Sequence, residues 1–380
     1  MKPLDLSIIV VSYNTRQVTK SCLSSIYQHR PRRSFEVIVV DNDSKDASQH
    51  MVQRDFPQAA LIRNTENAGF ARANNQALQV SRGRYILLLN PDTHVFPDGL
   101  DRMMAFMDEN PRVGAITAKI WLDTGKTLRS FLIHPFTMGF FIFAFSPLAR
   151  FFPRNEVLRK IWDADIRLWL SKDPVEVDAF AGACMMIRRE TLNNVGPMDD
   201  NFFMFFEDLD WCLRMKRAGW KLFSLPEAEI VHLAHQSPSD RLEELYLESL
   251  AYYLRKHYPL PIVWGLYLLH SCAGVIARCL ERLGIGIVNE SGRVLDLASK
   301  RIVWPEIPDA KGYVLEISND PLFTAKGGSV VDENFYEVAP EILERWPNGL
   351  YFFRVAPIYG DGHVGRFSDA VTLTKRGRRE

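Results

Sequence analysis

Leu6-Ser7-Ile8-Ile9-Val10-Val11, broken off by Ser12-Tyr13-Asn14, decides the fold. An apolar, β-branched run that stops at a polar cluster reads as a buried strand ending at a sheet edge. The same grammar recurs through the first hundred residues. Strand candidates Ser7–Ser12, Phe35–Asp41, Ala60–Asn64 and Tyr85–Asn90 alternate with helical stretches Arg16–His29, Ala47–Asp55 and Ala71–Ser81. Strands that are apolar throughout and separated by helices imply a parallel sheet covered on both faces. In such sheets ligands bind beyond the carboxyl ends of the strands. Those ends here are Tyr13-Asn14, Asp41-Asn42-Asp43, Asn64–Gly69 and Asn90-Pro91-Asp92, four polar clusters on one edge.

Working outward, 380 residues exceed one typical domain. Hydrophobic residues at 47% and charged residues at 24% exclude disordered, collagenous and coiled-coil chains. Lys+Arg and Asp+Glu both total 46, which removes the electrostatic case for a nucleic-acid binder. Five cysteines without a CxxC pair suggest a reducing compartment and neither a disulfide framework nor a zinc site. Met1-Lys2-Pro3 runs straight into the first strand without a signal peptide, and the expected location is cytoplasmic. Phe136–Phe152 and Leu260–Ala277 are unusually apolar. The second is uncharged, and Arg255, Lys256, Arg278 and Arg282 flank it, so it reads as a buried or interface-lying helix, with a membrane span as the alternative. From Ser291 the texture turns to short alternating strands such as Gly312–Ser318 and Leu350–Ile358, expected to form a small β-sandwich. The expected organisation is an α/β domain over 1–258, an apolar membrane-proximal helical segment over 259–290 and a β-sandwich over 291–375.

Several motifs can carry chemistry. Asn64–Asn75 follows a strand and opens a helix; Asn67 and Gly69 suit a tight turn, and the helix N-terminus can offer N–H groups to an anion. It is neither a Walker loop nor a dinucleotide fingerprint, and an ordinary strand–helix turn is the alternative. Ile86–Asp92 delivers the Asp92 carboxylate at a strand end, suited either to a hard divalent cation or to capping the next helix. The literal DxD triplets at Asp41, Asp163 and Asp208 are not equated with a metal site by spelling. In Phe202–Trp211 two acids follow an aromatic run at a helix start, where burial raises a carboxylate toward a useful value for a base. Asp208 can instead cap that helix, and Asp210 is expected to pair with Arg214 four residues on. His232 follows a strand over Glu229–Val231 and can ligate a metal or stay structural.

Ser12-Tyr13-Asn14, Val40–Ser44, Asn67–Asn75, Leu89–Asp92, Gly182–Arg189, Phe206–Asp210 and His232…Ser237, in that order, resemble a family 2 glycosyltransferase of the GT-A fold. The likeness is nearest to the rhamnosyltransferase-like enzymes of bacterial O-antigen and cell-wall polysaccharide assembly and covers roughly residues 5–258. The resemblance implies a mainly parallel α/β sheet sandwiched by helices. It implies donor-nucleotide contacts at Ser12, Tyr13, Asn14, Asp41, Asn67, Gly69, Phe70 and Asn74, with Gly182 and Ala183 by the donor sugar or acceptor. It further implies Mg²⁺ or Mn²⁺ at Asp92 and His232, and catalysis at Glu207-Asp208 with Asp208 as base. Asn90 departs from the family's acidic metal triplet, and His235 stands where relatives often carry a small residue. Trp304, Ala310–Ser318, Asp320-Pro321-x-Phe323 and Tyr351–Val355 look like a bacterial fibronectin type III domain.

An inverting sugar transfer needs a base for the acceptor hydroxyl and a cation for the departing diphosphate, and no enzyme nucleophile. A glycoside hydrolase would need two facing carboxylates and leave the Asn-x-Gly-Phe loop idle. A nucleotidyltransferase of similar sheet architecture would carry a Gly- and Arg-rich loop at Ser12–Arg16, which is absent. A non-catalytic carbohydrate-binding protein would leave Asp92 and Asp208 without purpose. By resemblance the expected donor is dTDP-rhamnose, with UDP- or GDP-sugars behind it. The expected acceptor is a glycan or polyprenyl-linked saccharide at a membrane surface.

Overall fold

The computed structural model describes residues 4–130, 168, 170–233, 241–282, 295–296, 301–319, 326–346, 349–368 and 370–375. In chain order the first elements are β1 (Leu4–Ser12), α1 (Arg16–Gln28), β2 (Phe35–Asp41), α2 (Ser48–Asp55), β3 (Ala60–Arg63), α3 (Phe70–Val80) and β4 (Gly83–Leu89). Then come β5 (Thr93–Val95), α4 (Gly99–Glu109), β6 (Val113–Trp121), β7 (Arg129–Ser130), β8 (Val175–Glu176), β9 (Cys184–Arg188) and α5 (Arg189–Val195). Next are α6 (Glu207–Arg217), β10 (Lys221–His232), α7 (Leu242–His257), α8 (Leu260–Arg282), β11 (Leu295–Asp296), β12 (Arg301–Val303), β13 (Gly312–Ser318) and β14 (Lys326–Val331). The last are β15 (Phe335–Glu337), α9 (Pro340–Arg345), β16 (Gly349–Ile358) and β17 (Val371–Lys375).

The described residues fall into two compact units, one within Met1–Ile120 and Trp162–Gly265, the other within Trp121–Phe131 and Leu266–Glu380. In the first, strands run in the order β3-β2-β1-β4-β9-β6. β3, β2, β1 and β4 pair in parallel, whereas β9 runs antiparallel to both β4 and β6. This is the mainly parallel, helix-sandwiched α/β architecture expected of a GT-A fold. Its central strands are buried on both faces, with Ile8, Ile9, Val10, Val39, Val40, Leu87 and Leu88 inaccessible or nearly so. α1 covers one face with Thr19, Cys22, Leu23 and Ile26, the three-and-four spacing of a helix stripe. Cys22, Cys184 and Cys212 are buried free thiols, each pushed up to about 12 by burial, as expected of packing residues.

Two sequence expectations change here. The strand expected at Glu229–Val231 is the end of the twelve-residue β10, whose Pro226 lies between a stretch paired with β8 and one paired with β5. Proline lowers the apparent strand signal without ending the strand. Trp121–Phe131, placed by sequence inside the first domain, belongs to the second unit. There Leu128 is buried in the β core and Arg129 and Ser130 pair with β14.

In the second unit β13 pairs antiparallel with β14 and β16, β17 extends that sheet, and β12–β15 form a separate ladder. Tyr313, Leu315 and Ile317 from β13 and Tyr351, Phe353 and Val355 from β16 alternate inward to meet Ile302, Trp304 and Tyr336. The expected strands Gly312–Ser318 and Leu350–Ile358 are present, and α9 is an addition that the alternation did not signal. Asp320–Phe323, Phe136–Phe152, and Asp163 and Asp165 lie outside the described residues.

Candidate active site

The carboxyl edge of the sheet gathers the site. Register places Ser12 beside Asp41, Val10 beside Leu89, and Leu89 beside Cys184, so the ends of β1, β2 and β4 meet the start of β9. Asp41 is buried; its Oδ1 accepts from the Ser44 amide (3.0 Å) and Gln49 Nε2 (2.8 Å), while its Oδ2 is buried with no hydrogen-bond partner. Asn14, at φ 51, receives the Lys45 amide on Oδ1 at 2.7 Å and gives its own amide to Ser44 Oγ at 2.9 Å, fastening the β1 and β2 ends together.

Asn42 is the hub beneath the Asn67–Phe70 loop. Its Nδ2 donates to Asn67 Oδ1 (2.7 Å) and Gly69 O (3.3 Å), and its Oδ1 accepts from Asn64 Nδ2 (2.9 Å) and the Ala68 amide (3.0 Å). Gly69 has φ 82 and ψ 173, a region open essentially to glycine alone. A Cβ there would stand 2.5 Å from Phe203 O, the atom that accepts the Phe70 amide at 2.6 Å. The amides of Ala68, Gly69 and Phe70 are therefore all engaged, to Asn42, Asn67 and Phe203. These three N–H groups shape the loop ahead of and at the start of α3.

Asp92 and His232, far apart in sequence, are brought together because β10 pairs with β5 with His232 opposite Thr93. His232 Nε2 lies 3.2 Å from Asp92 Oδ1 and 3.2 Å from Asn90 Nδ2. His232 Nδ1 and Asn90 Oδ1 are buried without hydrogen-bond partners. Among the described residues no group of three or more His, Cys, Asp or Glu side chains is arranged to hold a metal, and His235 lies outside them.

A chain of short contacts leads from there to Asp208. The Asn90 amide donates to Ala183 O at 3.0 Å, and the next amide, Gly182, donates to Asp208 Oδ2 at 2.8 Å. Asp208 Oδ1 accepts the Leu209 amide at 2.7 Å, and the residue is half-buried. Burial raises the Asp208 carboxyl, and the Gly182 and Leu209 amides pull it only partly back. Glu207 is pushed up further, first by burial and then by the Asp208 charge, and its Oε2 is buried without a partner. Asp210 differs. Burial would raise it, but His257, Lys256 and Arg214 outweigh burial and hold it below the usual carboxylate range. Its Oδ2 meets Arg214 Nε at 2.8 Å, the expected partner four residues on.

Residues 7–196, half of the chain, match the family described as glycosyl transferase family 2. The chain belongs to this family. N-acetylglucosaminyl-diphospho-decaprenol L-rhamnosyltransferase of Mycobacterium tuberculosis (strain ATCC 25618 / H37Rv) is 26% identical over 264 residues, 66% of this chain and 83% of that protein. Rhamnosyltransferase WbbL of Escherichia coli (strain K12) is 27% identical over 240 residues, 60% of this chain and 83% of its own. A solved mannosyltransferase, PcManGT from Pyrobaculum calidifontis in complex with GDP-Man and Mn2+, aligns with a TM-score of 0.46 and 21% identity over 70% of this chain and 69% of that one.

Within this glycosyltransferase the sequence-derived residues divide. Asp41, Asn67, Gly69, Phe70, Asp92, Gly182, Ala183, Asp208 and His232 lie along linked hydrogen bonds or contacts, with the Phe70 ring 3.4 Å from a Cβ built on Gly182. Ser12 is buried, its hydroxyl 3.1 Å from both Thr15 and Thr19, and Asn74 Nδ2 donates to Phe70 O at 2.9 Å. Both side chains brace the edge from inside. Arg188 and Arg189 likewise serve carbonyls of Val113 and Gly83. Tyr13 sits on the same edge, half-buried. Sequence reasoning missed Asn42, which looks like a spacer between Asp41 and Asp43, read Asn90 only as a departure from the acidic triplet, and missed the left-handed pair Phe205 (φ 72) and Phe206 (φ 66) ahead of Glu207.

Proposed function

We propose that this glycosyltransferase inverts the anomeric centre while moving a sugar, rhamnose first, from a nucleotide diphosphate donor to a glycan or polyprenyl-linked saccharide of a bacterial surface polysaccharide. The observation that carries the reading is the Asp208 carboxylate, raised by burial, aimed by Gly182 and joined through Ala183 and Asn90 to Asp92. The names of the mycobacterial and E. coli relatives favour rhamnose, hence dTDP-rhamnose ahead of UDP- or GDP-sugars.

Asp41 Oδ2 accepts an N–H of the donor base, with Tyr13 and Asn14 bordering the same edge and the Asn67–Phe70 loop closing over the nucleotide. Asp208 takes the proton of the acceptor hydroxyl, a role that a carboxyl of raised affinity performs nearer to neutral pH. Glu207, buried behind it, favours its own neutral form and so leaves the negative charge to Asp208. Asp92 and His232 fit a divalent cation, Mg²⁺ or Mn²⁺, because a carboxylate and an imidazole meet beside the unpartnered His232 Nδ1 and Asn90 Oδ1. Such an ion, when bound, would offset charge on the leaving diphosphate.

α8 gives the acceptor its address. No helix among the described residues is long and apolar enough to cross a membrane, but α8 exposes Leu260, Trp264 (70%) and Leu268 (67%) at four-residue spacing. With exposed Arg255 before it, this helix lies in the interface of an anionic bilayer where a polyprenyl-linked acceptor resides. The β unit, fibronectin type III-like in its paired sheets, is a docking or spacing module. The proposed division remains 1–258, 259–290 and 291–375, with the Trp121–Ser130 hairpin grouped with the last.

The test is Asp208→Asn. Turnover with dTDP-rhamnose and a polyprenyl-diphosphate-linked saccharide falls by roughly 10²–10⁴, the worth of a general base, while donor affinity by titration calorimetry holds. Wild-type turnover in that variant removes the base and with it this mechanism.

A further inference from the structure

The loop that delivers Asp208 is held in a shape it would not keep alone. Phe205 and Phe206 both adopt left-handed backbone, and bulky side chains stay there only where their surroundings over-determine them. The surroundings are α7. Tyr246 packs on Phe205 (5.6 Å between ring centroids) and on Phe206 (5.1 Å), and Tyr253 packs on Phe206 (5.6 Å). Ser249 Oγ donates to Met204 O at 2.7 Å. At the loop's start Lys256 Nζ meets Asp199 at 2.5 Å, and the same ammonium meets Asp210, two residues past the base, at 2.7 Å. α7 thus grips the loop before, within and after its strained turn. On the loop's other side Phe203 O accepts the Phe70 amide, so the same segment is wedged against the nucleotide loop.

We propose that α7, through Tyr246, Ser249 and Lys256, is the positioning element of the transfer reaction, holding the Asp199–Phe206 loop so that the Asp208 carboxylate stays seated on Gly182. None of these three side chains touches the reacting atoms; they act through the loop. The inference rests on Asp208 being the base, and it extends the site beyond residues 7–196 into a helix that the family match does not reach.

The experiment measures transfer kinetics of the full chain carrying Tyr246→Ala, Ser249→Ala or Tyr246→Phe, with Leu247→Ala, exposed on the same helix, as control. Misplacement of a catalytic group by about 1 Å lowers rate by about 10²-fold. The expected result is a kcat loss of between about 10- and 100-fold in the two alanine variants, larger than any change in donor KM. Tyr246→Phe, which keeps the ring, recovers most of that loss, and Leu247→Ala matches wild type. A kcat unchanged in both alanine variants overturns the proposal, as does a parallel loss of kcat, donor affinity and melting temperature that Tyr246→Phe does not relieve. Failure of the base reading looks different, because Asp208→Asn would then stay active. An inactive Asp208→Asn beside fully active Tyr246→Ala and Ser249→Ala proteins rejects positioning alone.

Discussion

Gly69→Ala tests whether the donor loop and the catalytic loop are one structure. At φ 82 and ψ 173 an alanine is strained by about 1–3 kcal/mol. Its Cβ would also stand 2.5 Å from Phe203 O and 3.0 Å from Phe203 Cα, both backbone atoms that cannot swing aside. Relief requires the Phe203 carbonyl to retreat, which breaks its 2.6 Å bond from the Phe70 amide, worth about 1 kcal/mol net. The expected destabilisation is therefore about 2–4 kcal/mol, read by urea unfolding of the first unit. Because Phe203 precedes the strained Phe205–Phe206 turn and Asn67 bonds to the Gly69 amide, donor affinity and kcat fall together. Gly182→Ala is the internal control for stability. Its Cβ would meet Phe70 Cε1 at 3.4 Å, an ordinary contact, so its melting behaviour stays near wild type. A Gly69→Ala protein destabilised by less than about 1 kcal/mol, with unchanged donor affinity, would refute the loop-to-loop reasoning.

Further outcomes follow from the same geometry. Glu207 is raised by burial, so its contribution to stability is present in acid and lost as pH rises through that raised value. Glu207→Gln is accordingly expected to raise the melting temperature at neutral pH and to leave it unchanged in acid; an equal gain at every pH would deny that the charge matters. Asp92→Ala should abolish the tightening of nucleotide binding by Mn²⁺ in calorimetry, and activity that survives EDTA would show that a protein cation, not a metal, faces the diphosphate. Trp264→Ser combined with Leu268→Ser should release the protein from phosphatidylglycerol vesicles in flotation, while wild-type binding weakens with salt. Retention of the double variant on the vesicles would move the membrane contact elsewhere.

What the sequence by itself determined is whatever is written in local order. The apolar runs ending at Ser12, Asp41 and Leu89 pointed to buried strands, and the helices between them to parallel pairing with the polar ends on one edge, because apolar patterning and the length of a crossover are written in consecutive residues. Asp208 and its aromatic approach were legible for the same reason, since a helix start and the burial of Phe202 and Phe206 follow from neighbours in the chain. The pairing of Asp210 with Arg214 was equally local, one helical turn apart. Only the tertiary structure decided the rest. The meeting of His232 with Asp92 was foreseen by resemblance, but its cause is the β5–β10 register, which no spacing between the two residues encodes. Asn42 and Asn90 became hubs because a side-chain amide can both donate and accept, and which partners it finds depends on loops that fold back from elsewhere. The backbone amides of Ala68–Phe70 are engaged for the same reason, by Asn42, Asn67 and Phe203. Two phenylalanines in left-handed backbone contradict their own local preference, so no local reading could place them. Their conformation is imposed by the rings and hydroxyl of α7, about forty residues farther along the chain.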